Sequence, residues 1–270
     1  MISLYLFAHQ DDEIGVMHTL ATAADRAEQA VCIYLTNGAW AGVTPARRNA
    51  ESLAVLGRLG LPTADVYFLG DSLGVGDGRL VENLDRVMDG LLALLPGITG
   101  ANGVIGRVVT HAWEGGHHDH DAAHLIGRVL AERLCASGAS RQFALYRANA
   151  SGDGLVFAAL LPGHGTIETE PIPLARGARY LLLLHHYRSQ ARVMLQLGPL
   201  IARSYLVDGV QRLQRFPSAA LLDRRPAGSL PYERWGLYTY EDFAAQAAPF
   251  ISRNVVGAIA PIEATERRAS

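Results

Sequence analysis

The sequence has no lysine, few cysteines and no long apolar run. All 24 basic side chains among its 270 residues are arginines, 26 acidic side chains outnumber them, and the formal net charge is -2. A nucleic-acid-binding protein usually carries a basic face, so this balance argues against that class. The two cysteines, Cys32 and Cys135, are too few for a disulfide framework or a cysteine-based zinc site.

A membrane span needs about 20 consecutive apolar residues, and no stretch of the sequence meets that requirement. The N-terminus also lacks the basic segment of a signal peptide and turns acidic at Asp11. We therefore expect a cytoplasmic protein that acts on a small molecule, with no nucleic acid and no membrane span. A homo-oligomer is compatible with the sequence, which does not determine the oligomeric state.

Strand-like and helical patterns alternate through the first half of the chain. The apolar runs predict strands at residues 2–8, 30–36, 66–69 and 107–110, and the periodic segments predict helices at 14–21, 45–59 and 80–95. This alternation is typical of an α/β fold whose parallel sheet is covered on both faces. Between the third strand and the third helix, Gly74, Gly76 and Gly78 indicate an ordinary flexible loop.

The second half of the chain has a less regular pattern. Strands are predicted at 143–147 and 156–160, whereas the apolar run 180–186 is compatible with a strand or a buried helix. We expect one domain over residues 1–270, with a core at 1–150 and a C-terminal elaboration at 151–270 that forms the substrate rim.

A histidine and three acids stand together where the first buried strand should end. His9 and Asp12 are three residues apart, and a tight turn would place both on one side as two ligands of a catalytic zinc site. Asp11 would point elsewhere and could take a proton from a metal-activated water. The alternative, in which Asp11 or Asp12 only caps a helix, explains one acid but not His9 beside two acids.

A cluster of five histidines follows the fourth predicted strand: His111, His117, His118, His120 and His124. One of them is needed as the third metal ligand. The last two are four residues apart and could bind zinc from one helical face, but the zincin pattern requires Glu where this chain has Asp121. We expect His124 to pack in the interior or to support a ligand from behind, His111 to line the pocket, and His118 to face solvent.

Both clusters carry a family resemblance. The segment Ala8-His9-Gln10-Asp11-Asp12-Glu13 resembles the Ala-His-Pro-Asp-Asp-Glu signature of the LmbE-like (PIG-L) zinc-dependent N-acetylglucosaminyl deacetylases, with Gln10 in place of proline. About 100 residues later, His117-His118-Asp119-His120 resembles the His-Pro-Asp-His signature of the same family. Two signatures, each after a predicted strand, are far more specific than either alone.

The resemblance implies a Rossmann-like three-layer α/β fold and one zinc ion per chain, held by His9, Asp12 and His120. It makes Asp11 the general base, and it makes His117 the residue that polarises the substrate carbonyl. Asp119 would orient a ligand histidine through a hydrogen bond. Because two imidazoles and a carboxylate also suit ferrous iron, Fe2+ is an alternative to Zn2+.

The resemblance also implies the substrate class, N-acetylated amino sugars and their conjugates. Arg48 and Glu51 resemble an Arg-x-x-Glu pattern of the family, in which the arginine would grip a hydroxyl or phosphate; the alternative is an exposed helical charge. Asn37 and Asp71 follow predicted strands and could accept hydrogen bonds from sugar hydroxyls.

Two further elements lie in the C-terminal half. Ser189-Gln190 resembles a Ser-Gln element that opens a helix near the pocket in the family. Trp235 or Tyr232 could stack on a sugar face or an aromatic aglycone.

Three functions follow from these patterns. The first is a zinc-dependent sugar N-deacetylase, and the second is an amidase of the same fold that cleaves a larger acyl group or a thiol-sugar conjugate. The third, a non-catalytic protein that binds zinc and sugar, gives Asp11 no role.

Overall fold

A seven-stranded sheet runs through the middle of the computed structural model, which describes residues 1–134, 136–218 and 224–254. Cys135 therefore lies outside the described residues. The strands are β1 (Ile2–Phe7), β2 (Gln29–Tyr34), β3 (Val66–Tyr67), β4 (Ile105–His111), β5 (Arg141–Phe143), β6 (Tyr146–Ala148), β7 (Leu155–Phe157), β8 (Ile167–Pro171) and β9 (Val210–Gln214). The order in the sheet is β3-β2-β1-β4-β5-β9-β8, and β6 pairs with β7 as a separate antiparallel ribbon.

Helices connect and cover these strands. They are α1 (Met17–Asp25), α2 (Pro45–Leu59), α3 (Leu69–Leu73), α4 (Leu84–Thr99), α5 (His118–Arg133), α6 (Leu174–Leu183), α7 (Ala191–Ala202), α8 (Pro231–Arg234) and α9 (Tyr240–Asn254). In the part of the chain that the structure describes, none of them combines the length and the apolar character that crossing a membrane requires.

Each face of the sheet has its own hydrophobic core, because successive side chains of a strand point to opposite faces. In β1, Leu4 and Leu6 join a cluster with α4, α5 and α9, while Tyr5 and Phe7 join a second cluster with α1, α2 and α7. A strand buried on both sides needs apolar residues throughout, which explains why β1 lacks a polar alternation. The prediction of an α/β fold with helices on both faces of a mostly parallel sheet is confirmed.

Several boundaries differ from the sequence prediction, among them those of the third strand and of α4. The third strand ends at Tyr67, and Leu69–Leu73 is a short helix rather than the continuation of the strand. Helix α4 passes Pro96 and ends at Thr99, where an end at residue 95 was predicted. Proline near a helix C-terminus removes one donor only, and the Gly100 amide still bonds to the Pro96 carbonyl at 3.0 Å.

The C-terminal half contains the larger errors. The predicted strand 143–147 is two short strands that belong to different sheets. The run 180–186, for which a strand and a buried helix were both possible, is helical. Strands β8 and β9 were missed; β9 pairs antiparallel with β5 and with β8, and β8 forms the edge of the sheet. The residues of β8 are largely exposed, so the strand lacks the apolar signal that marks buried strands.

The order of the strands positions the site. β1 lies between β2 and β4, and all three strands are parallel. After β1 the chain continues to β2 and β3 on one side of β1, and it later returns to β4 on the other side. In open α/β sheets, the crevice at such a reversal, outside the carboxyl ends of the strands, is where ligands bind. The two histidine-containing clusters follow the carboxyl ends of β1 and β4.

Gly70 provides a test of the packing beside this crevice. It lies in α3 directly over the end of β2, and an added Cβ would overlap backbone atoms of Leu35 and Thr36. We expect Gly70→Ala to lower the free energy of unfolding by roughly 1–3 kcal/mol, because backbone atoms cannot move aside as a side chain can.

Gly57 is the matched control, since it lies in α2 and its added Cβ would meet no atom within 4 Å. Gly57→Ala should raise the stability by about 0.5–1 kcal/mol. Urea unfolding followed by circular dichroism measures the free energy of unfolding of both variants. Equal effects of the two substitutions would contradict the packing described for Gly70.

Candidate metal centre

The turn after β1 is closed by the side chain of Asp12. Its Oδ2 accepts the backbone N–H of His9 at 2.7 Å and lies 3.5 Å from His9 Nδ1. This turn leads into a single 3-10 turn, Asp12–Gly15, whose residues are all buried. The short-range hydrogen bond therefore fixes the imidazole and the carboxylate on the same side, as the spacing of three residues predicts.

The carboxylate of Asp11 contacts Arg48, whereas that of Asp12 contacts His111 and His120. The backbone φ of Asp11, 118°, lies in a region that non-glycine residues seldom adopt. Glu13 Oε2 accepts the Asp11 N–H at 3.0 Å, and Arg48 from α2 donates to the Gln10 carbonyl and lies 3.3 Å from Asp11 Oδ1. These contacts with Glu13 and Arg48 thus maintain a strained backbone conformation at Asp11.

Gln10, which replaces the proline of the family signature, makes hydrogen bonds of its own. Its Nε2 donates to Asn49 Oδ1 at 2.8 Å and to the Thr36 carbonyl at 3.4 Å. The turn is therefore tied to α2 and to the end of β2 by a side chain, where proline would restrict the backbone instead.

The second cluster begins at His117, which caps the N-terminus of α5. Its Nδ1 accepts the backbone N–H of Asp119 at 3.2 Å. Because a neutral imidazole carries one hydrogen, this bond places the hydrogen of His117 on Nε2. Burial lowers the pKa of His117 well below its usual value, so the neutral donor form predominates near pH 7.

The two clusters meet in space. The ring centroid of His9 lies 4.9 Å from that of His117 and 5.4 Å from that of His120, and His120 Nε2 lies 3.3 Å from Asp12 Oδ1. Candidate ligand atoms of His9, His117 and His120 all lie within 4.8 Å of one another. The predicted ligands His9, Asp12 and His120, and the predicted catalytic residues Asp11 and His117, all line one cavity.

His111 forms a second group with two of these residues. Its Nε2 lies 3.1 Å from Asp12 Oδ2, and its ring stacks on His120 with centroids 4.2 Å apart. It is completely buried and does not line the cavity, contrary to the sequence expectation. His124 is also buried, and its Nδ1 lies 2.9 Å from the His111 carbonyl, in agreement with the packing role predicted for it.

Two carboxylates, those of Asp77 and Asp119, lie close to Nε2 of His9. Asp119 Oδ2 lies 3.1 Å from His9 Nε2, as predicted for an orienting residue, and it is fixed by the Gly78 amide at 2.7 Å. Asp77 Oδ1 lies 3.3 Å from the same nitrogen and was missed by the sequence analysis. Its loop looks like an ordinary glycine-containing connection, so no pattern marks Asp77 as part of the site.

The charges of the cluster favour a bound cation. Burial opposes a charge on His9, yet Asp77, Asp119 and Asp12 together raise its pKa well above the usual value. Burial would also raise the pKa of Asp12, but His120 and His111 hold it well below its ordinary range. Burial lowers the pKa of His120 to about 4, so this imidazole is a neutral ligand near pH 7.

The donor set fits a zinc-like metal. Imidazole nitrogens and a carboxylate oxygen are the ligands of catalytic zinc sites, which keep one position open. With Nε2 of His9 directed at Asp119, its Nδ1 faces Asp12 and is the nitrogen left for a metal. Histidine ligands commonly bond a carboxylate through their second nitrogen, so this arrangement is the expected one.

The cavity over the cluster has a volume of about 780 Å3. Arg48 and Gln190 line it, but Arg48 is buried and engaged with the turn after β1. Glu51 accepts hydrogen bonds from Ser189 N at 2.9 Å and Ser189 Oγ at 2.5 Å, which ties α2 to the start of α7. The predicted Ser-Gln element therefore does precede a helix beside the cavity.

Four other predicted positions need comment. His118 was expected to face solvent, which is wrong: it is 2% exposed, because its ring stacks on Tyr238 with centroids 4.6 Å apart. Tyr232 is completely buried and cannot stack on a ligand in this structure. Asn37 and Asp71 do not belong to the lining of the cavity; Asp71 accepts a hydrogen bond from Asn49 at 3.0 Å.

Comparison with known proteins agrees with this geometry. Residues 4–131 match the model of the family described as PIG-L, GlcNAc-PI de-N-acetylase. This match covers somewhat less than half of the 270 residues. Both signatures lie within the matched segment, and so do Asp11, Asp12 and the histidines His9, His117 and His120. No curated protein matches the chain at a significant level.

Solved structures show that the similarity of fold extends beyond residue 131. An N,N'-diacetylchitobiose deacetylase from Pyrococcus horikoshii is 17% identical, with a TM-score of 0.54 over 80% of this chain and 82% of that one. A conserved protein from Thermus thermophilus is 18% identical, with a TM-score of 0.52 over 86% and 97%. The zinc-inhibited form of a teicoplanin deacetylase is 18% identical, with a TM-score of 0.50 over 79% and 97%.

Asp77 offers a test of the metal centre. We expect Asp77→Asn to weaken zinc binding by about 10- to 100-fold, because His9 loses one of the two carboxylates that orient it and make it a better ligand. Competition with a chromophoric chelator measures the dissociation constant on the purified protein.

Asp71→Asn is the control, since this exposed carboxylate belongs to the same connection between β3 and α4 but does not contact the cluster. Its zinc affinity should stay within about twofold of the unsubstituted protein. Unchanged zinc affinity in Asp77→Asn would contradict the role assigned to Asp77.

Proposed function

We propose that this protein is a metal-dependent hydrolase that removes an acetyl group from an N-acetylated amino sugar or its conjugate. One set of contacts carries the proposal: Asp12 lies 3.5 Å from His9 Nδ1 through its Oδ2 and 3.3 Å from His120 Nε2 through its Oδ1, and these three residues line one cavity together with Asp11 and His117. The acetylated-sugar substrate follows from the PIG-L match and from the deacetylases among the fold relatives.

His9, Asp12 and His120 are the residues proposed to hold the metal, with zinc preferred over ferrous iron. His111 is the less suitable ligand because it does not line the cavity, so a substrate could not reach a metal on that side. When bound, a divalent cation at this position supplies the positive charge that acidifies water and polarises a carbonyl group.

Asp11 is the proposed general base. It lines the cavity next to Asp12, and its carboxylate is positioned by Arg48. Burial raises the pKa of Asp11 to about 8, while Arg48 opposes this effect. A carboxylate of raised pKa is a stronger base once it is ionised, and the positive charge of a cation held by His9, Asp12 and His120 would favour the ionised form of Asp11. As water attacks the acetamide carbon, Asp11 takes its proton, and the breaking C–N bond passes its electron pair to the nitrogen.

His117 is the proposed donor to the carbonyl oxygen. Its Nδ1 is occupied by the Asp119 amide, so its Nε2–H is the group available to a ligand in the cavity. A fixed donor aimed at the oxygen where negative charge develops stabilises the transition state without reorganisation. The leaving amine can then recover a proton from Asp11, and the products are acetate and a free amine.

The activity test is acetate release from a panel of N-acetylated amino sugars by the zinc-loaded protein. We expect Asp11→Asn to lower kcat by about 10²- to 10⁴-fold while the zinc content stays at one per chain, because a general base contributes about that much. Asparagine tolerates positive φ, so the turn should keep its conformation.

Full activity of Asp11→Asn with zinc bound would eliminate Asp11 as the base. If no sugar of the panel releases acetate although the protein binds one zinc, the proposed reaction is wrong and the non-catalytic function is favoured.

Two histidine substitutions test the choice of the third ligand. His120→Ala should lose stoichiometric zinc, because it removes the nitrogen that faces Asp12. His124→Ala, one turn further along α5, should keep zinc, because its imidazole lies against the His111 carbonyl.

Metal analysis of the dialysed proteins measures the zinc content of both variants, and circular dichroism confirms that each variant is folded. The reverse pattern, in which His120→Ala keeps zinc and His124→Ala loses it, would show that the wrong histidine was chosen.

A further inference from the structure

A second cavity lies away from the candidate metal centre, close to the amino ends of β2 and β4. Its volume is about 180 Å3, and it is lined by residues of α1, β4, β8 and β9 together with Arg26 and Glu28. None of its lining residues lines the cavity over the metal centre. A ligand of this cavity would therefore not compete with a ligand at the metal centre.

Three residues of its wall each have a buried polar atom without a hydrogen-bond partner in the part of the chain that the structure describes. The atoms are Thr19 Oγ1, Gln211 Oε1 and Arg107 Nε. Buried polar groups in folded proteins are nearly always hydrogen-bonded, so three such atoms around one cavity indicate a polar ligand. The amide oxygen is an acceptor, the guanidinium nitrogen is a donor and the hydroxyl is both. A complementary ligand must therefore carry donors as well as acceptors.

The two longest of these side chains are each held in place by another contact. Gln211 Nε2 donates to the Gly15 carbonyl at 2.8 Å, and Arg107 Nη2 donates to the Tyr5 hydroxyl at 3.1 Å. These hydrogen bonds orient the amide and the guanidinium group before any ligand binds. A polar group that is already oriented loses little conformational freedom on binding, which favours affinity.

Two of the three glutamates around the cavity are paired with arginines. Glu168 Oε1 lies 2.6 Å from Arg141 Nη2, and Glu170 Oε1 lies 3.6 Å from Arg26 Nη2. Each of these charges thus already has a partner of the opposite sign.

Arg107 and Glu28 are the remaining charges of the wall. Neither forms a salt bridge with another residue that the structure describes. Burial raises the pKa of Tyr5 to about 12, while Arg107 opposes this rise and Glu28 adds to it, so both charges lie near one neutral hydroxyl. A guanidinium group binds a carboxylate, and a carboxylate binds an ammonium group, through charge-assisted hydrogen bonds.

We propose that this cavity binds a small α-amino acid, with its carboxylate at Arg107 and its ammonium group at Glu28. Such a molecule carries both charges on groups attached to one carbon atom, whereas a neutral polyol or a simple anion matches only part of the wall. Thr19 and Gln211 provide further hydrogen bonds. The cavity is smaller than the roughly 300–1,000 Å3 of sites for drug-sized ligands, which restricts the ligand to a small molecule. The inference does not depend on the proposed hydrolase reaction.

The first test is calorimetric titration of the zinc-loaded protein with glycine, L-alanine, L-serine, L-threonine and L-valine. We expect at least one of them to bind with a dissociation constant below about 1 mM. The N-acetyl and the amide derivatives of the tightest ligand each lack one of the two charges, so each should bind at least about tenfold more weakly.

Three variants locate the binding site. Glu28→Gln and Arg107→Met each remove one charge from the wall and should weaken binding by at least about tenfold. Asp25→Asn is the matched control, because this exposed carboxylate ends α1 and pairs with Arg176 but does not line the cavity. Its affinity should stay within about twofold of that of the unsubstituted protein. Circular dichroism confirms that each variant is folded, and Glu28 is exposed, so its substitution should leave the fold intact.

Three results would overturn the inference. If none of the five amino acids binds at about 10 mM, the cavity holds only solvent. If one binds but either Glu28→Gln or Arg107→Met keeps its affinity, the amino acid binds elsewhere in the protein, for example at the zinc ion. If the derivatives bind as tightly as the parent amino acid, the two charges are not what the cavity recognises. Acetate release enters none of these measurements, so a failure of the proposed reaction leaves the inference intact.

Discussion

The parallel pairing of β1 with β4 is the constraint on which the site depends. These strands are about 100 residues apart in the sequence, yet residues 3–5 of β1 pair with 107–109 of β4. Parallel neighbours end on the same side of a sheet, so the loops that follow them are adjacent by construction. Because both strands are buried on both faces, a shift of register by one residue would turn every side chain to the wrong core. The packing of two cores thus fixes the relative position of His9 and His120.

The carboxylate of Asp12 contacts residues of both clusters. One carboxylate closes the turn after β1 and faces imidazoles from β4 and α5. A buried carboxylate is costly unless it is paired and hydrogen-bonded, and here its partners are groups that a metal also requires. The same pattern holds at His9, which two carboxylates contact. The cluster is therefore a set of mutually dependent groups, in which removal of one leaves others buried without a partner.

Much of this arrangement could be predicted from the sequence. The buried strands are continuous apolar runs, and each cluster is a local motif, so the pattern of residues was sufficient to locate the buried strands of the first half and both clusters. Asp77 could not be found in this way, because its contact with His9 depends on how a glycine-containing loop folds back over the site. His118 was placed in solvent because Tyr238, which covers it, lies 120 residues away in the sequence. Strand β8 lacked any apolar pattern, since neither of its faces is buried.

The backbone conformation of Asp11 has an evolutionary consequence. Its φ of 118° is one that glycine adopts freely and that other residues adopt at a cost of about 1–3 kcal/mol. Selection for thermal resistance alone would therefore favour glycine at position 11. A carboxylate at this position indicates that selection has kept a less stable fold for the sake of a side chain. Consensus or ancestral redesign of this protein for heat tolerance should leave position 11 unchanged, because glycine, which would relax the turn, lacks the carboxylate that we propose as the general base.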